Sequence, residues 1–314
     1  MGADCFPHLV ALRFARSCLK RFELNELNFD LHNHSNASDG LFSAAELVSL
    51  AHRNGCDALA LTDHDTVANI SAAKACADEV GLRFISGVEI SVSWVAKGDI
   101  DSLMTTIHIV GLGIDEENRE LLDGLASVRG GRTIRGKAIA KQLVAAGLPD
   151  IFADAFALAE NKELIGRTHF ARALVARGIV PDITHAFKRF LTPGNPGYLP
   201  DRWATLEDAV KWIKGAGGHA VIAHPARYTL SERELDTLCA EFKALGGEGV
   251  EVVTGSHSPD EYGPAARRCK SFGLYASRGA DFHAPDETPV EPGRLPKLSD
   301  IDRDLKPIWQ LLAA

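Results

Sequence analysis

Asn28-Phe-Asp-Leu-His32-Asn-His34-Ser-Asn-Ala-Ser-Asp39 opens with a short apolar strand pattern that runs directly into two histidines two residues apart. On an extended segment residues i and i+2 point to the same side, so His32 and His34 can face one ion. Asp39 follows five residues on. The same construction recurs along the chain. The apolar run 58–61 ends in Thr62-Asp-His64-Asp65, and 83–87 leads into Val88-Glu89. Run 220–223 ends in His224-Pro225, and 274–276 leads to Ala280-Asp281-Phe-His283. Run 105–110 carries His108 within it, and 249–253 is a further β-branched run.

Helical patterns lie between many of these seven runs. Ser43-Ala-Ala-Glu46, Thr205-Leu-Glu-Asp208 and Ser231-Glu-Arg-Glu234 read as N-terminal capping boxes or close variants. Gly55, Gly81 and Gly273 stand where such helices stop. Strand–helix alternation predicts an α/β fold with a mainly parallel sheet, open or closed into a barrel. A single histidine at a strand end is more often a hydrogen-bonded structural residue than a ligand. Here, however, six of the 12 histidines and several carboxylates occupy or follow strand ends, which converge on one rim of a parallel barrel. A nitrogen and oxygen ligand set without cysteine suits Mn²⁺, Fe²⁺ or Zn²⁺. Nine candidate ligands exceed the need of one ion, so two or three divalent metals are expected.

The 314 residues carry 34 basic and 42 acidic side chains, a formal charge of −8, which argues against a protein that coats long nucleic acid over its whole surface. With 46% hydrophobic and 24% charged residues the composition is that of a globular protein, and no apolar run approaches the ~20 residues of a membrane span. The six cysteines (Cys5, Cys18, Cys56, Cys76, Cys239, Cys269) form no C-x-x-C pair, which points to reduced thiols in the cytoplasm. Arginines interrupt the apolar stretch in the first 28 residues, so these are expected to be an N-terminal extension and not a secretory signal.

From about residue 115 to 201 the pattern is helical only. The span 129–202 has 12 basic and six acidic residues, a local charge of +6 in an acidic chain. The expected organisation is therefore an extension (1–28), a metal-binding barrel (29–114 and 203–300), a basic helical insert that binds substrate (115–202) and a C-terminal tail (301–314). His8, His52, His185 and His219 are expected to lie outside the metal site. Trp94, Trp203, Trp212 and Trp309 are read as packing residues, and Gly215-Ala-Gly-Gly218 as a turn with no P-loop lysine.

Taken in order, His32-x-His34, Asp39, Thr62-Asp-His64-Asp65, Gly87-Val-Glu89, His108, Ala223-His224-Pro225 and Asp281-Phe-His283 resemble the PHP (polymerase and histidinol phosphatase) family over residues 28–300. The resemblance implies a distorted (β/α)7 barrel with a helical insertion subdomain and a metal cluster on its rim. It assigns His32, His34, Glu89 and Asp281 to a first metal, with Glu89 bridging to a second completed by His108 and His224. Asp39, His64 and His283 would hold a third. Some relatives have histidine where Asp39 stands, which gives this third site a harder ligand. Mn²⁺ is the first choice of metal, with Zn²⁺ or Fe²⁺ as alternatives.

The insert segments Arg167-Thr-His-Phe-Ala-Arg172 and Leu191-Thr-Pro-Gly-Asn-Pro-Gly-Tyr198 resemble the subgroup that acts on 3′,5′-nucleotide bisphosphates and trims short RNA from its 5′ end. Thr168 is expected to cap a helix on which His169 and Arg172 share a face, with Arg167 just before it, anchoring a second phosphate. Arg227 and His257 are candidate substrate contacts from the barrel, and Asp65 or His257 is the candidate proton donor to the leaving group. The resulting expectation is a phosphoesterase that converts pAp to AMP and also trims short 5′-phosphorylated RNA, with no membrane partner. Histidinol-phosphate phosphatase and a non-catalytic metal- or nucleotide-binding module are the alternatives.

Overall fold

The seven apolar runs become seven strands: β1 (Phe29–Asp30), β2 (Ala58–Leu61), β3 (Arg83–Trp94), β4 (Thr105–Leu112), β5 (His219–Ile222), β6 (Gly249–Thr254) and β7 (Tyr275–Gly279). They are seen in a computed structural model that describes residues 27–96, 104–199 and 203–312. Residues 1–26 of the expected extension, with Cys5, His8 and Cys18, lie outside the described residues. The strands form one sheet in chain order, and it curls until its edges meet. The Leu31 N–H donates to the Arg278 carbonyl at 3.0 Å, joining the end of β1 to β7. A Cβ on Gly279 would lie 2.3 Å from the Cβ of His32, so a glycine is required for this approach. The result is the nearly closed, distorted barrel expected from the sequence.

One strand departs from the parallel expectation. β4 runs antiparallel to both β3 and β5, whereas β1–β2–β3 and β5–β6–β7 are parallel. Only ten residues separate Trp94 from Thr105, fewer than a parallel crossover needs. The reversal matters for function. His108 lies near the start of β4, yet the reversed direction brings it opposite Ser91, two residues beyond Glu89 on the rim.

The longer helices are α1 (Ala44–Arg53), α2 (Ile70–Val80), α3 (Arg119–Arg129), α4 (Arg132–Ala145), α5 (Phe152–Leu158), α6 (Arg167–Ala176), the single turn α7 (Ile183–Ala186), α8 (Leu206–Gly215), α9 (Glu232–Ala244) and α10 (Pro259–Ser271). Ser43, Thr205 and Ser231 form the predicted capping boxes at α1, α8 and α9. Gly55, Gly81 and Gly273 all take positive φ after α1, α2 and α10, the conformation that ends a helix. No described helix is long and apolar enough to cross a membrane.

Two apolar cores support the site. The larger fills the barrel and its helices, and it includes Leu121, Leu125 and Val128 of α3. The smaller lies within the insert, where Ile139, Leu143, Ile165, Phe170, Leu174 and Leu191 are among its buried members. The last residues close the floor of the barrel: Trp309 stacks on Phe29 with ring centroids 4.9 Å apart, and Leu305 and Ile308 are buried in the larger core.

Candidate active site

Strand ends carry the chemistry because each strand holds its last residues rigidly while the following loop leaves them free to turn inward. Three of those ends are strained. Asp65 after β2, His224 after β5 and Asp281 after β7 have φ of 50°, 26° and 53°, and they alone among described non-glycine residues take positive φ. Each is fixed by its own N–H: Asp65 to the Glu89 carbonyl, Asp281 to the His32 carbonyl, and His224 to Glu251 Oε2 at 2.6 Å. Such backbone costs roughly 1–3 kcal/mol per residue and persists where the surroundings over-determine it.

Around Glu89 these ends make a dense cluster. Glu89 Oε2 lies 3.3 Å from both His32 Nε2 and His34 Nε2 and 2.9 Å from His64 Nδ1. Its Oε1 lies 2.9 Å from His108 Nδ1 and 3.1 Å from His224 Nε2. Asp281 Oδ1 is 3.2 Å from His34 Nε2, and Asp39 Oδ1 is 3.3 Å from His283 Nε2. All nine residues expected from the sequence to form a metal centre are thus brought together. His34, Asp39, His64 and His283 form one group able to hold an ion, His32, His34 and Glu89 a second, and His64, Glu89 and His108 a third.

The donor set fits cations better than it fits internal hydrogen bonding. Glu89 Oε2, Asp39 Oδ1, His34 Nδ1 and His64 Nδ1 are buried without a well-aligned hydrogen bond despite their close neighbours, and such groups are costly unless something else satisfies them. The nitrogens His32 Nε2 and His34 Nε2 stand 3.1 Å apart. Burial pushes the His34 and His224 imidazoles down to about 3, leaving both neutral and able to ligate. Burial opposes ionisation of Glu89 and Asp281, yet the surrounding imidazoles hold both carboxyls well below the usual range. Against the effect of burial, Glu251 and Glu89 favour a proton on His32, Glu89 and Asp39 one on His64, and Asp39 one on His283, protons that a cation bound here would displace.

Supporting residues hold the cluster in place. Glu251 Oε1 accepts from His32 Nδ1 at 2.9 Å, which directs Nε2 at the centre. Glu251 was not among the residues expected from the sequence, although a carboxylate inside the apolar strand 249–253 is itself a signal. Asp63 accepts from the Ser35 N–H and from the hydroxyls of Ser35 and Ser38, tying down the loop that carries Asp39. From the insert, the Thr168 hydroxyl donates to Asp39 Oδ2 at 2.9 Å.

The cavity over the cluster is lined by four guanidiniums: Arg132, Arg135, Arg167 and Arg227. Arg227 Nη1 lies 2.7 Å from Asp281 Oδ2. Arg132 is ion-paired with Asp65 and lies 4.6 Å from the Trp203 ring centroid. Arg167 donates to the Leu191 carbonyl at 3.1 Å and stands 5.5 Å from the ring of Tyr198, and burial pushes its pKa down to about 10. Arg167 and Arg227 were expected here. Arg132 and Arg135 were visible only as part of a basic span, although their i, i+3 spacing puts them on one helix face. Trp203, expected to be a packing residue, lines the cavity.

Besides the fully buried His32 and His34, four expected site residues do not line it. Arg172 forms a two-pronged ion pair with Glu287, both N–O distances being 2.7 Å, so its donors are committed to the barrel and not to a phosphate. His169 is buried and accepts the Gly166 N–H at 3.1 Å. Gly166, not Thr168, is the N-cap of α6. Asp65 accepts from the Ser91 N–H and Oγ and pairs with Arg132, so both of its carboxylate oxygens are already engaged by the protein. His257 Nε2 accepts the Ala226 N–H while Nδ1 faces the Val252 carbonyl at 3.4 Å, so it braces the turn that carries Arg227.

A family model described as PHP domain matches residues 30–146. The chain is 46% identical over 287 residues to a 3′,5′-nucleoside bisphosphate phosphatase of Chromobacterium violaceum, covering 91% of this chain and 97% of that one. The chain belongs to the PHP family. A second relative, a 5′-3′ exoribonuclease of Haemophilus influenzae, is 39% identical over 282 residues, 90% of this chain and 98% of its own. A solved amidohydrolase structure from Chromobacterium violaceum with bound sulfate superposes with a TM-score of 0.85 at 45% identity, covering 91% of this PHP chain and 96% of that one.

Proposed function

We propose that the protein is a metal-dependent phosphoesterase that removes the 3′-phosphate of 3′,5′-bisphosphonucleotides, with pAp as the leading substrate. Release of nucleotides from short 5′-phosphorylated RNA is its second activity. One observation carries this reading: the guanidiniums of Arg132, Arg135, Arg167 and Arg227 share a single cavity with the histidine and carboxylate cluster. A substrate with two phosphates can occupy both ends at once. Histidinol phosphate would instead place a cationic amine among arginines, which is repulsive. A non-catalytic module does not require nine competent ligand positions to converge. The relatives that carry these activities by name support the same choice.

In this reading His32, His34, Glu89 and Asp281 hold one cation, Glu89, His108 and His224 a second, and Asp39, His64 and His283 a third. Mn²⁺ is the preferred ion, with Zn²⁺ or Fe²⁺ as alternatives. Bound divalent cations supply charge neutralisation at a phosphoryl group and lower the pKa of a water beside it. The chain's own residues do the rest. Glu251 holds His32 in the ligating orientation, and Thr168 orients Asp39. Arg227, anchored on Asp281, is placed at the boundary between the scissile phosphate and the rest of the substrate. Arg132, Arg135 and Arg167 bind the phosphate that is not cleaved, which makes the expected insert from α4 onward the substrate-binding part, while α3 packs into the barrel core. Cys56, Cys76, Cys239 and Cys269 are free thiols, in keeping with a reducing cytoplasm.

The test is phosphate release from pAp, AMP, 3′-AMP, histidinol phosphate and a 5′-phosphorylated dinucleotide with each divalent ion in turn. Preference for pAp is expected. Preference for histidinol phosphate would overturn the reading, and full metal loading without turnover of any ester would favour a binding module.

A further inference from the structure

The site does not end at the metal cluster. A second cavity of about 1110 Å³, including space open to solvent, shares Thr168, Phe187, Arg227, Asp281 and His283 with the first. It runs between the insert, through Thr184, Lys188 and Thr192, and the barrel, through Ser256, Glu287 and Thr288. Its chemistry differs from that of the first cavity. Hydroxyls and apolar side chains dominate, Lys188 is the added cation, and the Glu287 carboxylate in its wall is already neutralised by Arg172. Phe187, which lines both cavities, begins a π-helical turn (Phe187–Leu191), a distortion frequent at functional sites.

We propose that this second cavity receives the nucleotide downstream of the scissile phosphate in a 5′-phosphorylated oligoribonucleotide, with Lys188 serving that nucleotide's next phosphate. The inference rests on the reading of the first cavity as the site of the 5′-terminal nucleotide. The bond chemistry links the two. In pAp, water adds its oxygen to the 3′-phosphorus, the P–O3′ bond breaks, and a proton goes to O3′, giving AMP and phosphate. In an oligonucleotide the same P–O3′ bond breaks, and the phosphorus stays esterified to the 5′ oxygen of the next nucleotide. That shortened strand needs room beyond the cluster, which a terminal phosphate does not. The charge distribution follows the same division. A dianionic 5′-monophosphate meets the guanidiniums of Arg132, Arg135 and Arg167, while a downstream nucleoside with one monoanionic diester, beyond the shared Arg227, meets hydroxyls, apolar walls and Lys188. A phosphodiester exit of this kind also leaves a new 5′-phosphate, ready for the first cavity in the next round.

The test compares kcat/KM on pAp, pApA and pApApA with Mn²⁺, in the full-length protein and two variants at exposed positions. Ser256→Trp fills the second cavity and should lower the pApA-to-pAp ratio at least tenfold. Lys188→Ala should lower the pApApA-to-pApA ratio by about three- to tenfold, as expected for one solvent-exposed phosphate contact. Thermal unfolding of both variants checks that the fold is intact. Equal losses on all three substrates, or unchanged ratios, would overturn the downstream site. Wild-type protein that cleaves pAp but not pApA would overturn it while leaving the phosphatase reading in place. Failure on all three substrates would overturn both.

Discussion

Arg172→Ala separates two roles for one arginine, and the structure fixes the expected size of the effect. The guanidinium Nε and Nη2 each meet a Glu287 oxygen at 2.7 Å, and the two side chains are 8% and 11% exposed. Removing one partner of a buried pair leaves the other charge desolvated, at a cost of about 3–5 kcal/mol. Since both groups retain some exposure, the lower figure applies. At about 2 °C per kcal/mol for a chain of this size, Tm should fall by roughly 6 °C. The double variant Arg172→Met/Glu287→Leu should recover most of that loss, because it removes both charges and keeps the volume. Calorimetry or near-UV circular dichroism measures the stability, and phosphate release measures the ratio of pAp to 3′-AMP turnover. That ratio should not move, because Arg172 holds the insert to the barrel and does not line the phosphate cavity. An Arg172→Ala protein with native Tm and a tenfold lower ratio would refute this, and would return Arg172 to the role of phosphate anchor.

Arg167→Ala should do what Arg172→Ala does not: lower the pAp-to-3′-AMP ratio by about ten- to a hundredfold, the worth of one charge-assisted contact. An unchanged ratio would shift the role to Arg132 and Arg135. Glu89→Gln should abolish turnover and lower bound metal measured by elemental analysis, since an amide cannot carry the charge that meets five imidazoles. Near-native metal content and rate would remove Glu89 from the centre. His169 is held down to about 4 by burial, below its ordinary 6.5, so the unfolded chain binds a proton that the folded one refuses. Its contribution is present above pH 6.5 and is lost as pH falls towards 4, on the order of 3 kcal/mol in all. Urea denaturation at pH 7, 6 and 5 should show a shallower loss for His169→Gln than for wild type. Parallel curves would show that the histidine does not titrate this way.

The histidine and carboxylate cluster was legible because its signal is local. Most of its members sit within a few residues of an apolar run, and strand ends on one rim must meet once the sheet closes. The same logic does not reach Glu251, whose place inside β6 hides it among residues that only fill the core, nor the direction of β4, which depends on a connection too short to cross over. The arginine side of the cavity was harder for a different reason. Which arginine of a basic span faces the cavity depends on how the insert docks, and that is decided by long-range pairs. Arg172 meets Glu287 and Arg132 meets Asp65, 115 and 67 residues away in sequence. The sequence motif pointed to Arg172 and left Arg132 as one charge in a basic span, yet only Arg132 lines the cavity.

Those docking pairs tie the two ends of the substrate site together. Asp65 and Asp281 are strained strand ends on the barrel rim, and each also holds a guanidinium of the cavity, Arg132 and Arg227 respectively. Asp39 takes a hydroxyl from Thr168, one residue from Arg167. Arg132 and Arg227 are therefore positioned from the barrel rim itself, whereas Arg167 and Arg135 are held by the Leu191 and Leu199 carbonyls of the insert. A phosphate bound by arginines that are free to move would gain affinity but little selectivity. With the guanidiniums fixed relative to Glu89, the distance between two bound phosphates becomes a property of the barrel rim. A substrate whose phosphates match that distance satisfies both ends at once, whereas one with a single phosphate leaves either the cluster or the arginines uncompensated.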